Sequence, residues 1–498
     1  MHRFTRDDIQ ARLNRDNPWW GFDSPAAFPH WTMQRRVYFE PFKSLALNKR
    51  VRRAAVLLGP RRVGKTVMIQ QVIEDAASAG WSRKNILYVS IDTPLYSGIS
   101  LEEFLSYLPS GCREGEYLVA FDEIQYLRDW QVHLKDLVDS YPNVKFIASG
   151  SAAAALSLQS RESGAGRFSD FMLPPLTFSE FLDFSGQGSL AEMDDKHVVH
   201  YDDIEELNSA FIDYLNYGGY PEAVLIEEIR NNQEQFISKD IIEKVLLKDL
   251  PNLYGISNTQ ELNQLFTVLA YNAGHEASYE NISQISGINK AQVRNYISYL
   301  ESAFLIIKLP TVNDTCRTMQ RERNFKVYLS NPSMRAALFN PVNATDSQLI
   351  GHLAECAVFS QWQHSYAFKQ LRYARWRNEG EVDVVFLNNA NDRPLWIGEV
   401  KWSDRAAKNF YGETKAMRSL MEKHATVTKG FFTTRTYEAN QVLCGREVDV
   451  WPTAVYCYMV GKNATSRQSL GFKMRHLDIA QDVETEEPLE ELEEEEKA

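Results

Sequence analysis

The most constraining stretch of the chain is Gly59-Pro-Arg-Arg-Val-Gly-Lys-Thr66, preceded by the apolar run Ala54–Leu58 and followed by Val67-Met-Ile-Gln-Gln-Val-Ile-Glu-Asp-Ala-Ala77. The run before it is apolar on both faces, as a buried parallel strand must be, and the segment after it has helical spacing. A glycine-rich loop of this spacing between strand and helix turns main-chain N–H groups inward at a helix N-terminus, where anions are favoured. Gly59, Pro60, Arg61, Arg62, Val63, Gly64, Lys65, Thr66 and Val67 would then line a phosphate chain. Lys65 would reach the β- and γ-phosphates, and Thr66 would give its hydroxyl to Mg²⁺. A chain built around this unit is α/β, with a parallel sheet and helices on its faces.

The following residues continue the alternation through NILYVSID, LEEFLSYL, YLVAFDEI and VKFIASGS. The strand-like run from Tyr117 ends in two acids. Asp122 is placed to hold Mg²⁺ through water, and Glu123 to orient and polarise an attacking water. After the next strand, Ser149 lies where a polar side chain could sense a γ-phosphate; Ser and Gly equally suit a plain strand-to-helix turn. Arg161 and Arg167, in SRESGAGRF, are candidates for stabilising transition-state charge, with Arg167 the preferred arginine finger. A finger acting in trans would require a homo-oligomer.

With 44% hydrophobic and 24% charged residues over 498 positions, the chain can build real cores, which excludes disordered, collagen-like and disulfide-scaffold classes. The five cysteines are scattered without a CxxC pair, which suggests a reducing compartment and argues against a thiolate zinc site. No run approaches about 18 uncharged apolar residues, and the N-terminus lacks an apolar signal core, so a cytoplasmic protein away from the membrane is expected. The net charge of −12 is concentrated in the ten acids between Asp482 and Glu496. A block of like charge repels itself and stays unfolded, and it could contact a protein partner. The remainder is nearly neutral and gives no evidence on nucleic acid.

The order GPRRVGKT, LVAFDEIQ, FIASGS, AGRF, LPPLTFSEFL and GGYPE, together with Asn17-Pro-Trp-Trp20, resembles the AAA+-type P-loop ATPases (AAA_14-like) of bacteria and archaea that carry a C-terminal domain of unknown function, DUF4143. The resemblance implies ATP as ligand and, from related signalling ATPases, a turn at Gly219-Tyr-Pro221 in which Pro221 approaches the adenine. A plain turn between two helices is the alternative there. The expected organisation is an N-terminal segment with NPWW (1–50), a P-loop ATPase core (51–185), a helical lid (186–255), a winged-helix-like segment (256–315), a nuclease-like α/β domain (316–475) and an acidic tail (476–498).

In the winged-helix-like segment, Ile282, Ile285, Ile288, Val293, Ile297 and Leu300 recur at helical spacing around a turn at Gly287. Its second helix offers little positive charge beyond Lys290 and Arg294, so a domain-coupling role is expected over base readout. Further on, Asp383 and the triplet Glu399-Val-Lys401 fall on two strands joined by a polar turn. Residues i and i+2 of a strand share a face, so Glu399 and Lys401 point together and Asp383 can meet them. Glu355, on a preceding helix, is a further carboxylate. This arrangement suits Mg²⁺ at Asp383 and Glu399 and resembles the PD-(D/E)xK nucleases, with Glu355, Asp383, Glu399 and Lys401 in the matching catalytic roles. Val382 stands where a proline often precedes the aspartate. Arg372, Arg375, Arg377 and Lys408 could track a phosphate backbone. The expectation is an ATPase that gates a restriction-endonuclease-like domain acting on nucleic acid, DNA rather than RNA. The alternative is a non-catalytic switch whose C-terminal domain only binds nucleic acid or a protein.

Overall fold

A computed structural model describes residues 5–21, 32–109, 115–151, 166–313, 315–319, 324–376 and 380–466. The acidic tail, Cys112, Arg161 and Arg377 lie outside the described residues. Among the described residues, no helix is long and apolar enough to cross a membrane.

Five strands form the first sheet: β1 (Ala54–Leu58), β2 (Ile86–Ser90), β3 (Tyr117–Asp122), β4 (Val144–Gly150) and β5 (Phe168–Met172). All pair in parallel, in the order β2-β3-β4-β1-β5. β1 and β3 are buried at every residue, which is why they read as unbroken apolar runs. The helix Lys65–Ser78 covers one face through Met68, Ile69, Val72 and Ile73. The helix Trp130–Ser140 covers the other through Trp130, Leu134, Leu137 and Val138. The outer edge at β2 is tied down by the N-terminal segment. Asn17 exchanges hydrogen bonds with the backbone of Tyr88, and the indole N–H groups of Trp19 and Trp20 both donate to the Ile86 carbonyl. NPWW is therefore a strap over an exposed sheet edge.

A minor two-stranded ribbon, β6 (Glu192–Met193) with β7 (Val199–His200), leads into helices from Ile204 onward. Two stretches there, Glu234–Glu243 and Val245–Asp249, wind with wide π-type turns. The helices Tyr279–Ser286 and Lys290–Ser302 follow, with Gly287 at φ 72° reversing the chain between them. Of the six apolar positions expected inside, five are buried, whereas Ile285 is 59% exposed. The accompanying sheet is β8 (Glu276–Ser278), β9 (Ile306–Pro310) and β10 (Asn324–Leu329), with β10 central and antiparallel to both neighbours. The unit thus takes its central strand from beyond the expected limit at 315. The apolar run of β10 resembles those that follow it, while its pairing joins it to the strands before it.

The last sheet has six strands: β11 (Leu371–Trp376), β12 (Gly380–Asn388), β13 (Arg393–Glu399), β14 (Lys429–Thr434), β15 (Ala439–Leu443) and β16 (Arg446–Pro452). Their order is β11-β12-β13-β14-β16-β15, parallel only across β13–β14–β16. The helices Ser347–Trp362 and Thr453–Ala464 pack on one face, and Arg405–Glu413 and Lys415–Lys423 on the other. The expected regions share one apolar core running from Trp19 to Val460. Two joints show how. Phe178 donates its main-chain N–H to Gln361 Oε1 at 2.8 Å, and the Phe211 and Trp402 rings stack at 5.5 Å.

Candidate functional site

At the C-terminal end of β1 the chain turns sharply. A Cβ at Gly59 would lie 2.2 Å from the Leu173 carbonyl oxygen, and Gly64 adopts φ 97°, so both positions demand glycine. Lys65 opens the helix and is buried, its ammonium donating to the carbonyls of Gly59 (3.0 Å) and Pro60 (2.7 Å). Burial holds its pKa below the usual lysine range. Thr66 Oγ1 donates to Asp122 Oδ2 at 2.7 Å, which brings the two expected Mg²⁺ ligands into contact. The oxygens Mg²⁺ would use are therefore gathered, one hydroxyl and one carboxylate, as a hard cation prefers.

Asp122 ends β3 and is also held by Tyr88 Oη at 2.8 Å and by the Ser149 hydroxyl. The Glu123 N–H donates to Asp122 Oδ1 and Ser149 Oγ, each at 3.1 Å. Ser149 thus hydrogen-bonds to both members of the acidic pair. Glu123 sits in the left-handed region at φ 54°, and burial raises its carboxyl pKa. The turn containing Pro221 reaches the same loop through its neighbour, since Glu222 pairs with Arg62 at 2.7 Å.

Arg167 does not join this group. Its carbonyl accepts from Ala54 N–H at the start of β1, and its guanidinium pairs with Asp139. It lies at the opposite end of the sheet from Lys65, roughly five strand residues or 17 Å away, so it cannot serve as a finger within one chain. The sequence order is right, but β5 runs parallel to β1, which carries residues at its start away from the loop.

At the second candidate site, Asp383 and Glu399 face each other on antiparallel β12 and β13, next to the Val384–Gly398 pair. Asp383 Oδ2 accepts from Val400 N–H (3.0 Å) and Lys401 Nζ (3.1 Å), while Lys401 Nζ lies 2.6 Å from Glu399 Oε1. The expected three residues are therefore in contact. Glu355 joins through two residues that sequence reasoning missed. Its Oε2 accepts from Tyr328 Oη at 2.9 Å, and Lys326 Nζ lies 3.4 Å from both Glu355 Oε2 and Asp383 Oδ1, and against Glu381. Both missed residues come from β10, where a lysine inside the otherwise apolar run NFKVYL was the available signal.

The electrostatics follow from burial and spacing. Burial opposes ionisation of Asp383, but Lys401 and Lys326 outweigh it and hold the carboxyl at about 2. Burial, then the Asp383 charge, pushes Glu399 up to about 8 and Glu355 up to about 7. Among the described residues no set of three or more His, Cys, Asp or Glu is gathered for a metal ion. Glu399 Oε2 is nevertheless buried without a hydrogen-bond partner, an acceptor that a cation would satisfy. Of the basic residues expected to track phosphate, Arg372 donates to the Lys369 and Leu371 carbonyls and Arg375 lies near Glu276 and Glu381, while Lys408 is exposed. In the middle unit, Lys290 pairs with Glu280 and the Arg294 guanidinium covers the Tyr279 ring.

Residues 51–182, which hold the first sheet and its phosphate-loop motif, match the family model AAA_14, an AAA domain. Residues 208–345 match a domain of unknown function, DUF8612, a different family from the DUF4143 that the sequence resemblance implied. That match crosses the expected limits at 255 and 315 and includes β10. An uncharacterized protein of Haemophilus influenzae is 26% identical over 261 residues, covering 51% of this chain and 61% of its own length. One of Methanocaldococcus jannaschii is 24% identical over 321 residues, 61% of this chain and 66% of its own. The chain thus spans less than two thirds of the length of these relatives. Among solved structures, Cdc6p from Pyrobaculum aerophilum is 12% identical with a TM-score of 0.29, covering 67% of this chain and 97% of its own. The replication initiator DnaA bound to AMPPCP and single-stranded DNA is 15% identical with a TM-score of 0.26, covering 58% of this chain and 92% of its own. These two likenesses are too weak to carry any property over.

Proposed function

We propose that the chain binds and hydrolyses ATP with Mg²⁺ at the Gly59–Thr66 loop. The observation that carries this reading is the contact of Thr66 with Asp122 beside Lys65 and Glu123, within a segment that matches the AAA domain family. Lys65 would exchange two neutral carbonyls for phosphate oxygens, Thr66 and Asp122 would hold the cation, and Glu123 would accept the proton of the attacking water. The bound Mg²⁺ would supply charge neutralisation on the phosphates. The test is phosphate release by purified protein. Lys65→Ala and Glu123→Gln should each remove it, and turnover unchanged in either variant would overturn the assignment of that residue.

We further propose that the C-terminal cluster is a nuclease-like centre acting on nucleic acid, with DNA preferred, and that nucleotide state gates it. Asp383 and Glu399 would hold a divalent ion, whose chemistry is to activate water and stabilise phosphate charge. Lys401 would orient that water, and Glu355 would complete the carboxylate set. The partnerless Glu399 Oε2 supports this reading. A second reading, a binding module without cleavage, is favoured by Lys326 and Lys401, which already neutralise the carboxylates. Calorimetric Mn²⁺ titration separates the two, because only the first expects binding that Asp383→Ala removes.

A further inference from the structure

The two arginines of the phosphate loop both leave it to meet acids on the π-wound helices. Arg62 pairs with Asp240 at 2.9 Å as well as with Glu222, in solvent. Arg61 is different. Its Nε and Nη2 engage Asp249 Oδ2 and Oδ1 at 2.9 and 2.8 Å, a two-pronged pair whose side chains are 14% and 6% exposed. The same guanidinium donates to Tyr126 Oη at 3.2 Å, at the end of the turn that begins after Glu123, and Lys248 Nζ lies over that tyrosine ring at 5.0 Å. Arg61 therefore bridges the catalytic turn and the helix that ends at Asp249, within the electrostatic reach of Lys65 and Glu123.

Resting on the ATP-binding reading above, we propose that the Arg61 side chain reads the γ-phosphate and that Asp249 is the counter-ion holding it when no triphosphate is bound. A γ-phosphoryl group gripped by Lys65 would bring negative charge toward Asp249 and present oxygens that suit the same guanidinium fork. The carboxylate is repelled as the arginine is captured. ADP lacks that group and leaves the pair closed. The helix released is one whose wide turns bond less regularly than an α-helix, a form that recurs at functional positions. It runs on into Leu250–Tyr254, where the Tyr254 ring stacks on Tyr299 of the helix Lys290–Ser302. That helix leads through β9 to β10, the strand that carries Lys326. Opening the pair thus acts on the element linking the ATPase domain to the carboxylate cluster.

The test is equilibrium binding of fluorescent AMPPNP and ADP, with Mg²⁺, to the full chain. Asp249→Asn should tighten AMPPNP about tenfold and ADP less than about twofold, since only the triphosphate competes for Arg61. Arg61→Gln should lose the preference for AMPPNP, and the double variant should bind like Arg61→Gln alone, because Asp249 acts through Arg61. Asp249→Asn shifting both nucleotides alike, or tightening AMPPNP without Arg61, would reduce the pair to a structural salt bridge and overturn the proposal. Hydrogen exchange on the wild type is independent of any variant's folding. Amides 245–254 should exchange faster with AMPPNP than with ADP, and equal rates contradict the latch. A wild type that binds neither nucleotide sinks the ATP-binding reading itself, whereas nucleotide binding with an inert Asp249→Asn sinks only the latch.

Discussion

Lys65 at the first sheet and Lys326 beside the last are both buried, yet their acceptors differ in kind. Lys65 is held by two neutral main-chain carbonyls, and burial depresses its pKa. Lys145, at the other end of the first sheet, is held in the same way by the Val51 and Arg53 carbonyls, and burial pushes it down to about 8. Lys326 and Lys401 sit instead among acidic groups: burial opposes both charges, but Tyr328 and then three carboxylates around Lys326, and Asp383 and Glu399 beside Lys401, outweigh it and raise both. The difference sets what each can do. A lysine on carbonyls is under-neutralised and gains from an arriving anion. A lysine between carboxylates is already paired, so a cation entering that cluster must compete with it.

The largest expected effect is at Lys65. Lys65→Ala should lower ATP turnover by at least about a hundredfold while leaving the C-terminal sheet folded, as phosphate release and circular dichroism would report. Stability then separates the two classes of lysine. Lys326→Met leaves Glu355, Glu381 and Asp383 without their shared ammonium and should cost about 3–5 kcal/mol in urea denaturation. Lys65→Met, which removes hydrogen bonds to neutral carbonyls only, should cost less, about 1 kcal/mol without nucleotide. Equal losses would erase the distinction. A smaller effect is expected from pH. Because Lys145 has a folded pKa of about 8 against 10.5 ordinarily, the unfolded chain binds more protons between those values. Its contribution is fully present above about 10.5 and lost as pH falls through about 8. Denaturation midpoints should therefore rise across this window, and Lys145→Met should flatten the rise. The smallest change is Tyr88→Phe, which removes one of the hydroxyls on Asp122 and should raise the Mg²⁺ needed for hydrolysis by about tenfold or less.

The parts of the fold carried by local pattern were legible. Gly59–Thr66 between strand and helix, the acids ending β3, and the i, i+2 relation of Glu399 and Lys401 all follow from neighbouring residues. Contacts made across the chain were not. Tyr88 reaches Asp122 from an adjacent strand, Lys326 reaches Asp383 from another unit, and Asp249 meets Arg61 over 188 positions. Each lies in a run whose own periodicity describes only a strand or a helix. Arg167 shows the same limit in reverse: its local context suits a finger, and only strand direction places it at the far end of the sheet from the loop of its own chain. β10 pairs with β8 and β9 across the expected limit at 315, and nothing in its own sequence names those partners.

The most direct test of the account is cleavage of labelled single- and double-stranded DNA and RNA by the full chain with Mg²⁺ or Mn²⁺, with and without ATP, beside Asp383→Ala and Lys65→Ala. Metal-dependent cutting of DNA is expected, lost in Asp383→Ala and unresponsive to ATP in Lys65→Ala. Absence of cutting in every condition, with ATP turnover intact, would contradict the coupled nuclease and leave the C-terminal sheet as a binding module.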